Sequence, residues 1–574
     1  MSPSRRSVLK WSATSALGLL ALGCSRRSVA SIAGETTVLL NHVGFTPQGG
    51  KIALLPAGIS AKEFAVHDAE TDAVVFKGEL KERALDLGRF QLADFGSLDR
   101  SGTYLLRAGG IASAPFAISS RVYLPAIRHS ITYFTKQRCG DSRTGYNTPC
   151  HVDDGKRDDD GTHLDVTGGW HDACDVRKWV TATIYGMIGL AGVLDRLGPT
   201  GEVDADAIID ELRWGNLYFL KMQSPDGFVM DHCGGDQGNN FTDNQIGTAD
   251  DRVIRTEACE LPAQYNFIRA QAMLSRLTRD RDVVYSKQCA TAANKAFDWC
   301  LKNRNPRAAT SLAAALMALC ELRHVIDDNR LLLQLREWSR RLIALQAKAV
   351  ESGAIDGFFV RSHDDAKPSR EIMHGNVPLQ ALCAIVEHFP THPDANAWRE
   401  ALSKHVNYLL KMSERGTFGT VPFGLYTGND PGGNRKVDNY WYRWFSLNRD
   451  EQRDSDWWVG INAHLASNGL GLTHAAKVLN RPQLLAVAQR QLDWIMGVNP
   501  FDASTITAVG RNQPKLFETG EFKPVTPLLP GGVMNGIGGT ADDMPDLSPG
   551  GWNTCEYWTP MVAYTMLLMS HLRV

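Results

Sequence analysis

From residue 122 to the C-terminus, apolar side chains return every three to four positions in long runs, the period of helices that bury one face. The runs fall near 122–137, 174–196, 205–222, 260–278, 284–302, 308–325, 329–350, 375–389, 395–412, 455–478, 482–496 and 554–572. These make about a dozen helices, several joined by very short turns, and antiparallel hairpins in that number can close into a ring, an α/α barrel. Ahead of them the period shortens. Short β-prone runs at 38–40, 51–55, 63–66, 73–76, 103–106 and 115–118 are punctuated by Gly, Pro and Asp, the pattern of a β-sandwich over 36–119. Four longer loops, at 138–170, 223–258, 413–454 and 499–552, are rich in Gly, Asp, Asn and aromatics, and loops of that length in a helical domain tend to carry function.

Composition narrows the function classes. At 574 residues and 43% hydrophobic, the chain is too long for one ordinary domain and can build a large core, and a formal charge of −2 gives no electrostatic reason to expect nucleic acid. Residues 1–30 read as an address. Ser4-Arg5-Arg6-Ser7-Val8-Leu9-Lys10 resembles a twin-arginine export signal, and Ala21-Leu22-Gly23-Cys24 resembles a lipoprotein box with Cys24 as the lipidated residue. This predicts a periplasmic or envelope location, with a lipid anchor as the only membrane contact. Such export carries folded proteins, so the eleven cysteines need not form disulfides. Nothing in the sequence assigns an oligomeric state.

The densest chemistry lies in Gly168-Gly169-Trp170-His171-Asp172-Ala173-Cys174-Asp175. Asp172 and Asp175 stand three residues apart at what reads as a helix mouth, where i and i+3 project to one side and can share a water. The simpler alternative is a pair of aspartates capping a helix start.

The segment resembles the aspartate motif of glycoside hydrolase family 9, with Cys174 where that motif usually has Gly. Further matches follow in order: Leu40-Asn41-His42-Val43-Gly44-Phe45, Gly102-Thr103-Tyr104 and Ser113-Ala114-Pro115-Phe116 resemble the immunoglobulin-like module of one branch, while Arg138-Cys139-Gly140, Cys150-His151, Tyr218-Phe219-Leu220-Lys221-Met222-Gln223 and Met496-Gly497-Val498-Asn499-Pro500 resemble the catalytic domain. The resemblance implies an (α/α)6 barrel over 122–574 and hydrolysis of β-linked glucan with inversion. One carboxylate then activates water while an acid on the opposite side protonates the leaving oxygen. It implies Asp175 as principal base, Asp172 as its assistant and, as acid, Glu556 in Trp552-Asn553-Thr554-Cys555-Glu556-Tyr557-Trp558-Thr559-Pro560. Counted from Pro560, the family's acid lies two helical turns upstream and Glu556 only one. On a helix that keeps the same face at a depth changed by about 5.4 Å. Trp552, Tyr557 and Trp558 would supply a desolvating wall that raises its pKa.

Cys139, Cys150, His151 and His171 form a set suited to structural Zn²⁺, leaving no open coordination position for a catalytic metal. His163, His232 and Cys233 are competing ligands. Asp153, Asp154, Asp158, Asp159 and Asp160 offer oxygens for Ca²⁺, though a solvated loop is the plainer reading. No organic cofactor is expected. For substrate, Trp170, Trp441 and Trp457 offer rings, His374 opens a helix, and Arg511 stands where family cellulases carry a His-His-Arg grip that is missing here. The expected substrate is β-1,4-glucan or its oligosaccharides. The alternatives are exo action on another β-linked sugar such as a glucosaminide, or a non-catalytic carbohydrate-binding relative.

Overall fold

The computed structural model describes residues 37–141, 149–234, 252–349, 351, 354–428, 432–446, 459–518, 527–547 and 549–573. The export signal, Cys24 and Trp457 lie outside these residues.

The N-terminal module is β1 (Gly44–Phe45), β2 (Ile52–Pro56), β3 (Glu63–Asp68), β4 (Val74–Leu85), β5 (Gly88–Asp94), β6 (Gly102–Ala108), β7 (Ile111–Ala112) and β8 (Phe116–Ile118). Strand order is β1-β8-β6-β3-β4-β5-β2, with β7 on β6. The long β4 pairs with β3 through its first half and with β5 through its second, carrying the chain from one layer to the other. Tyr104 donates its hydroxyl to the Arg100 carbonyl at 2.8 Å, a short upstream bond that fixes a corner in immunoglobulin-like folds. Alternation along β2 sends Ala53 and Leu55 into the module's own core and Ile52 and Leu54 into the core of the helical part.

Helices α1 (Leu124–Lys136), α2 (Val180–Leu197), α3 (Ala205–Lys221), α4 (Leu261–Thr278), α5 (Val283–Asn303), α6 (Ala309–Leu322), α7 (Arg330–Ala344), α8 (Val377–His388), α9 (Ala395–Ser413), α10 (Asn462–Val478), α11 (Leu484–Ile495), α12 (Trp552–Cys555) and α13 (Thr559–Leu572) follow. Neighbour packing runs α2, α4, α6, α8, α10, α13 and back to α2, a closed inner ring of six. Each inner helix is backed by one outer helix: α3 on α2, α5 on α4, α7 on α6, α9 on α8, α11 on α10 and α1 on α13. Sequence explains the division. Inner helices such as α6 bury nearly every residue, whereas α7 buries only Leu331, Leu335, Trp338, Ser339 and Leu342, a single stripe. The result is the (α/α)6 barrel.

Two of the boundaries that differ from the sequence expectation bear on the site. The helix expected from 174 begins at Val180, because Val176 takes φ +54°, a left-handed conformation no helix continues through. The helix expected from 554 is split: α12 ends at Cys555, Glu556 is extended (φ −80°, ψ 131°), and α13 starts at Thr559.

Candidate active site

All six inner helices direct their N-termini toward one cavity of about 650 Å³. Most of its lining comes from the residues at or just before those starts: Asp172 to Thr181 at α2, Glu260 to Pro262 at α4, Ala308 to Ser311 at α6, Arg370 to His374 at α8, Val459 at α10, and Trp552, Glu556 and Trp558 at α13, with Asp231, Phe423 and Asn535 completing it. Helix N-termini carry partial positive charge, so the ring end favours the carboxylates gathered there.

Asp172 and Asp175 sit on a loop, so their convergence does not come from helical spacing. The loop is pinned from several sides. The Asp172 N–H donates to the Arg177 carbonyl at 2.9 Å, and the Asp172 carbonyl accepts from the Thr559 N–H at 2.9 Å and the Thr559 hydroxyl at 3.0 Å. Trp558 Nε1 donates to Asp172 Oδ2 at 2.9 Å, and Arg177 Nε lies 3.1 Å from Asp175 Oδ2. Holding β-branched Val176 at positive φ costs about 1–3 kcal/mol, strain that the surrounding contacts must sustain. Asp172 Oδ1 and Asp175 Oδ1 are buried and accept no hydrogen bond from the protein, leaving both as acceptors for whatever enters the cavity.

The electrostatics divide the three acids. Burial, then the Asp175 charge, raise the Asp172 pKa well above the usual carboxylate range. Burial also raises Asp175, opposed by Arg177. Glu556 is pushed well above its ordinary value by burial and by the Asp175 and Asp172 charges, while the Cys174 N–H bonded to its carboxylate works the other way. Extended backbone, rather than one face of the last helix, delivers Glu556 to the cavity, and its carbonyl is tied by the Asn535 N–H at 2.8 Å.

His374 lines the cavity with both ring nitrogens engaged, Nδ1 with the Tyr185 hydroxyl at 2.7 Å and Nε2 with Glu260 Oε1 at 2.8 Å. Burial opposes its charge, but the Glu260 and Glu371 carboxylates outweigh burial and lift its pKa to about 9. Glu260, Glu371, Arg370, Asp231 and Trp179 also line the cavity, and the sequence reading gave none of them a role. Glu260 alone carried a signal: it stands directly before Leu261-Pro262, a helix-start signature.

Other expected substrate residues lie elsewhere. Trp170 is fully buried, packs on Phe134 and donates Nε1 to Glu211 Oε1 at 2.8 Å, so it belongs to the core. A Cβ at Gly215 would run into its indole. Gly215→Ala is therefore expected to cost about 1–3 kcal/mol by overpacking, read from denaturant unfolding. Arg511 pairs with Asp502 at 2.9 Å, and its N–H donates to His42 Nδ1 at 3.2 Å, which places it between barrel and N-terminal module. Trp441 is 39% exposed on the strand Tyr440–Arg443, away from the cavity lining.

Cys139, Cys150, His151 and His171 are buried, and their ligand atoms lie within 4.8 Å of one another. His232 instead stacks on Trp179 (ring centroids 3.9 Å apart) and pairs with Asp231, Cys233 lies outside the four-residue cluster, and His163 is exposed. The acidic run expected to offer Ca²⁺ ligands is engaged by the protein's own groups: Asp154 by Arg252 and Lys178, Asp158 by Arg255 and Thr256, and Asp159 and Asp160 by Arg157.

Residues 33–113 match the cellulase N-terminal ig-like domain and residues 123–319 match glycosyl hydrolase family 9. A cellodextrinase of Butyrivibrio fibrisolvens is 23% identical over 85% of this chain and 87% of its own length. Endoglucanase D of Acetivibrio thermocellus is 30% identical over 47% of this chain, and the match spans just under half of that protein, 46%. Among solved structures, a Bacteroides ovatus family 9 protein superposes with TM-score 0.68 at 18% identity over 94% of this chain and 99% of its own. A metagenome-derived family 9 endoglucanase gives 0.69 at 21%, again over 94% and 99%. Residues 123–319 thus match glycosyl hydrolase family 9, and the architecture, an immunoglobulin-like module ahead of an (α/α)6 barrel, is the fold shared with the solved family 9 structures.

Proposed function

We propose that the protein hydrolyses β-1,4-linked glucan oligosaccharides with inversion of configuration. Asp175 acts as base, Asp172 holds the water with it, and Glu556 protonates the leaving oxygen. The observation that carries this reading is the meeting of three carboxyl groups, two from the 172–175 loop and one from the 556 segment, at a single cavity. Burial and the two aspartate charges lift the Glu556 pKa well above its ordinary value, the direction a general acid needs. Asp175 beside Arg177 is the more readily ionised of the early pair. Because the three groups share charge, they titrate as a unit rather than singly. Trp179, Trp552 and Trp558 offer apolar surface of the kind that packs on pyranose rings. A volume of about 650 Å³ falls in the ordinary range for small-molecule sites, about 300–1,000 Å³, which suits a short oligosaccharide segment.

The four-residue Cys/His cluster fits a structural zinc ion. Bond lengths of about 2.0–2.3 Å in a tetrahedron put a sulfur and a nitrogen ligand about 3.6 Å apart. Cys139 Sγ to His151 Nδ1 is 3.7 Å and Cys150 Sγ to His171 Nε2 is 3.6 Å. With four protein ligands the ion would supply rigidity rather than Lewis acidity. Export by the twin-arginine route, with lipidation at Cys24, rests on the N-terminal sequence.

The deciding measurement is anomer-resolved NMR of cello-oligosaccharide hydrolysis, run beside β-linked glucosaminides. The α-anomer is expected to appear first, from glucans. First release of the β-anomer would rule out inversion, and binding without cleavage would make the chain a carbohydrate-binding relative.

A further inference from the structure

The loop that carries Asp175 is held from behind by three buried charges for which the mechanism above has no use. Arg252, Asp154 and Lys178 are each fully buried. They come together because each adjoins a strand of one small sheet: Lys178 begins β10 (Lys178–Trp179), Asp154 precedes β9 (Lys156–Arg157), and Arg252 precedes β12 (Val253–Ala258). The sheet order is β10-β11-β12-β9, with β11 spanning Met230–Cys233. Arg252 grips Asp154 with both arms of its fork, Nε to Oδ1 at 2.8 Å and Nη2 to Oδ2 at 2.7 Å. Lys178 Nζ joins the same carboxylate at 2.8 Å and donates to the Val166 carbonyl at 2.8 Å. One guanidinium nitrogen is left over, and Arg252 Nη1 donates it to the carbonyl of Val176 at 2.6 Å.

That carbonyl belongs to the residue after Asp175, the β-branched residue held at φ +54°. An arginine clamped in a fixed plane is a rigid donor, and a carbonyl bonded to it cannot rotate without breaking a charge-assisted hydrogen bond in a water-excluded place. We propose that Arg252, oriented by Asp154, is a positioning residue for the base: it sustains the left-handed turn at Val176 and so aims the Asp175 carboxylate into the cavity. Arg252 touches no substrate and reaches the base through the Val176 carbonyl; besides Asp154, its Nη2 also lies 3.9 Å from Cys139 Sγ, which is why zinc content is read alongside kcat. The inference rests on the assignment of Asp175 as base in a working hydrolase.

The test compares Arg252→Lys, Val176→Gly and the double variant. Lysine lacks the fork, so R252K is expected to lose about 30- to 100-fold in kcat, in line with the cost of misplacing a catalytic group by an ångström, with KM changed less than threefold and zinc content unchanged. Glycine adopts positive φ without support, so adding V176G to R252K is expected to restore at least tenfold of the lost kcat, a rescue that a merely structural arginine would not permit. Should R252K not fold, Asp154→Asn loosens the same clamp, with the same rescue expected. Unchanged kcat in R252K, a loss that tracks zinc content, or no rescue by V176G overturns the proposal. A wild type that cleaves no oligosaccharide overturns the hydrolase assignment before any variant is compared.

Discussion

Glu556→Gln is expected to lower kcat on unactivated cello-oligosaccharides by about 10²–10⁴, the usual worth of a positioned general acid, with KM little changed. On an aryl glycoside whose leaving group departs without a proton, the same variant is expected to recover most of its rate. Asp175→Asn should lose a comparable factor and show no such recovery, because a good leaving group does not replace the activation of water. Comparing the two substrates separates acid from base within one cavity. Equal loss on both would remove Glu556 from the acid role. The pH dependence of stability has a defined sign as well. Glu556 is raised well above its ordinary pKa by burial and by Asp175 and Asp172, so in the window between its unfolded and folded values the folded state binds more protons. The stabilisation its neutral form provides is therefore fully present below the unfolded pKa and is lost as pH rises through the folded one. The glutamine variant has no proton to lose. Its unfolding midpoint should match that of the wild type in acid and exceed it as pH rises, which denaturant titrations across pH will read.

That cluster also shows what the sequence made legible. The run of about a dozen helices and its closure into a ring were legible from periodicity, and the ordered motifs pointed to Asp172, Asp175 and Glu556, all of which line the cavity; which helices are inner and which outer came only with the burial pattern. Local geometry was less accessible. An Asp-x-x-Asp spacing reads as helical, yet the left-handed turn at Val176, held from outside by Arg252, makes it a loop; no property of valine announces that conformation. Glu556 and Trp558 sit in a helix-compatible apolar pattern, but the chain there is extended and bridges Met534 to Tyr557, a tertiary choice that overrides propensity. The aromatic and charged residues beyond the motif were harder still. Trp170 and Arg511 have the chemistry of sugar ligands, and only packing against Glu211 and Asp502 takes them away from substrate. Conversely, Glu260, Arg370 and Glu371 become cavity residues because they stand ahead of inner helices, and of the three only Glu260, directly before Leu261-Pro262, had a helix-start signal beside it.

Cys139→Ser is expected to abolish zinc retention and to lower kcat by about 10- to 100-fold, the range seen when the support of a metal site is removed. The path from the cluster to the chemistry is short. The Cys139 N–H donates to the Gly169 carbonyl at 3.0 Å and the His171 N–H to the Gln137 carbonyl at 2.8 Å, so 137–139 and 169–171 run as a bridged pair whose next residue is Asp172. Four ligands on that pair and on Cys150-His151 would fix it covalently. In small zinc domains the binding free energy is the folding free energy, on the order of 10 kcal/mol. Here the barrel's apolar core is built from the helices and includes none of the four ligands, so the loss should concentrate in 149–177, seen as faster amide exchange there while α4 and α6 stay protected. Binding requires thiolates and neutral imidazoles. Burial lowers the His171 pKa to about 4, with the Cys139 thiolate opposing, which keeps that imidazole neutral at ordinary pH; acid together with a chelator is what should empty the site. Metal analysis and exchange measured before and after such treatment check this. Protein that holds no zinc yet keeps full turnover and unchanged exchange over 149–177 would show that hydrogen bonds alone fix the loop.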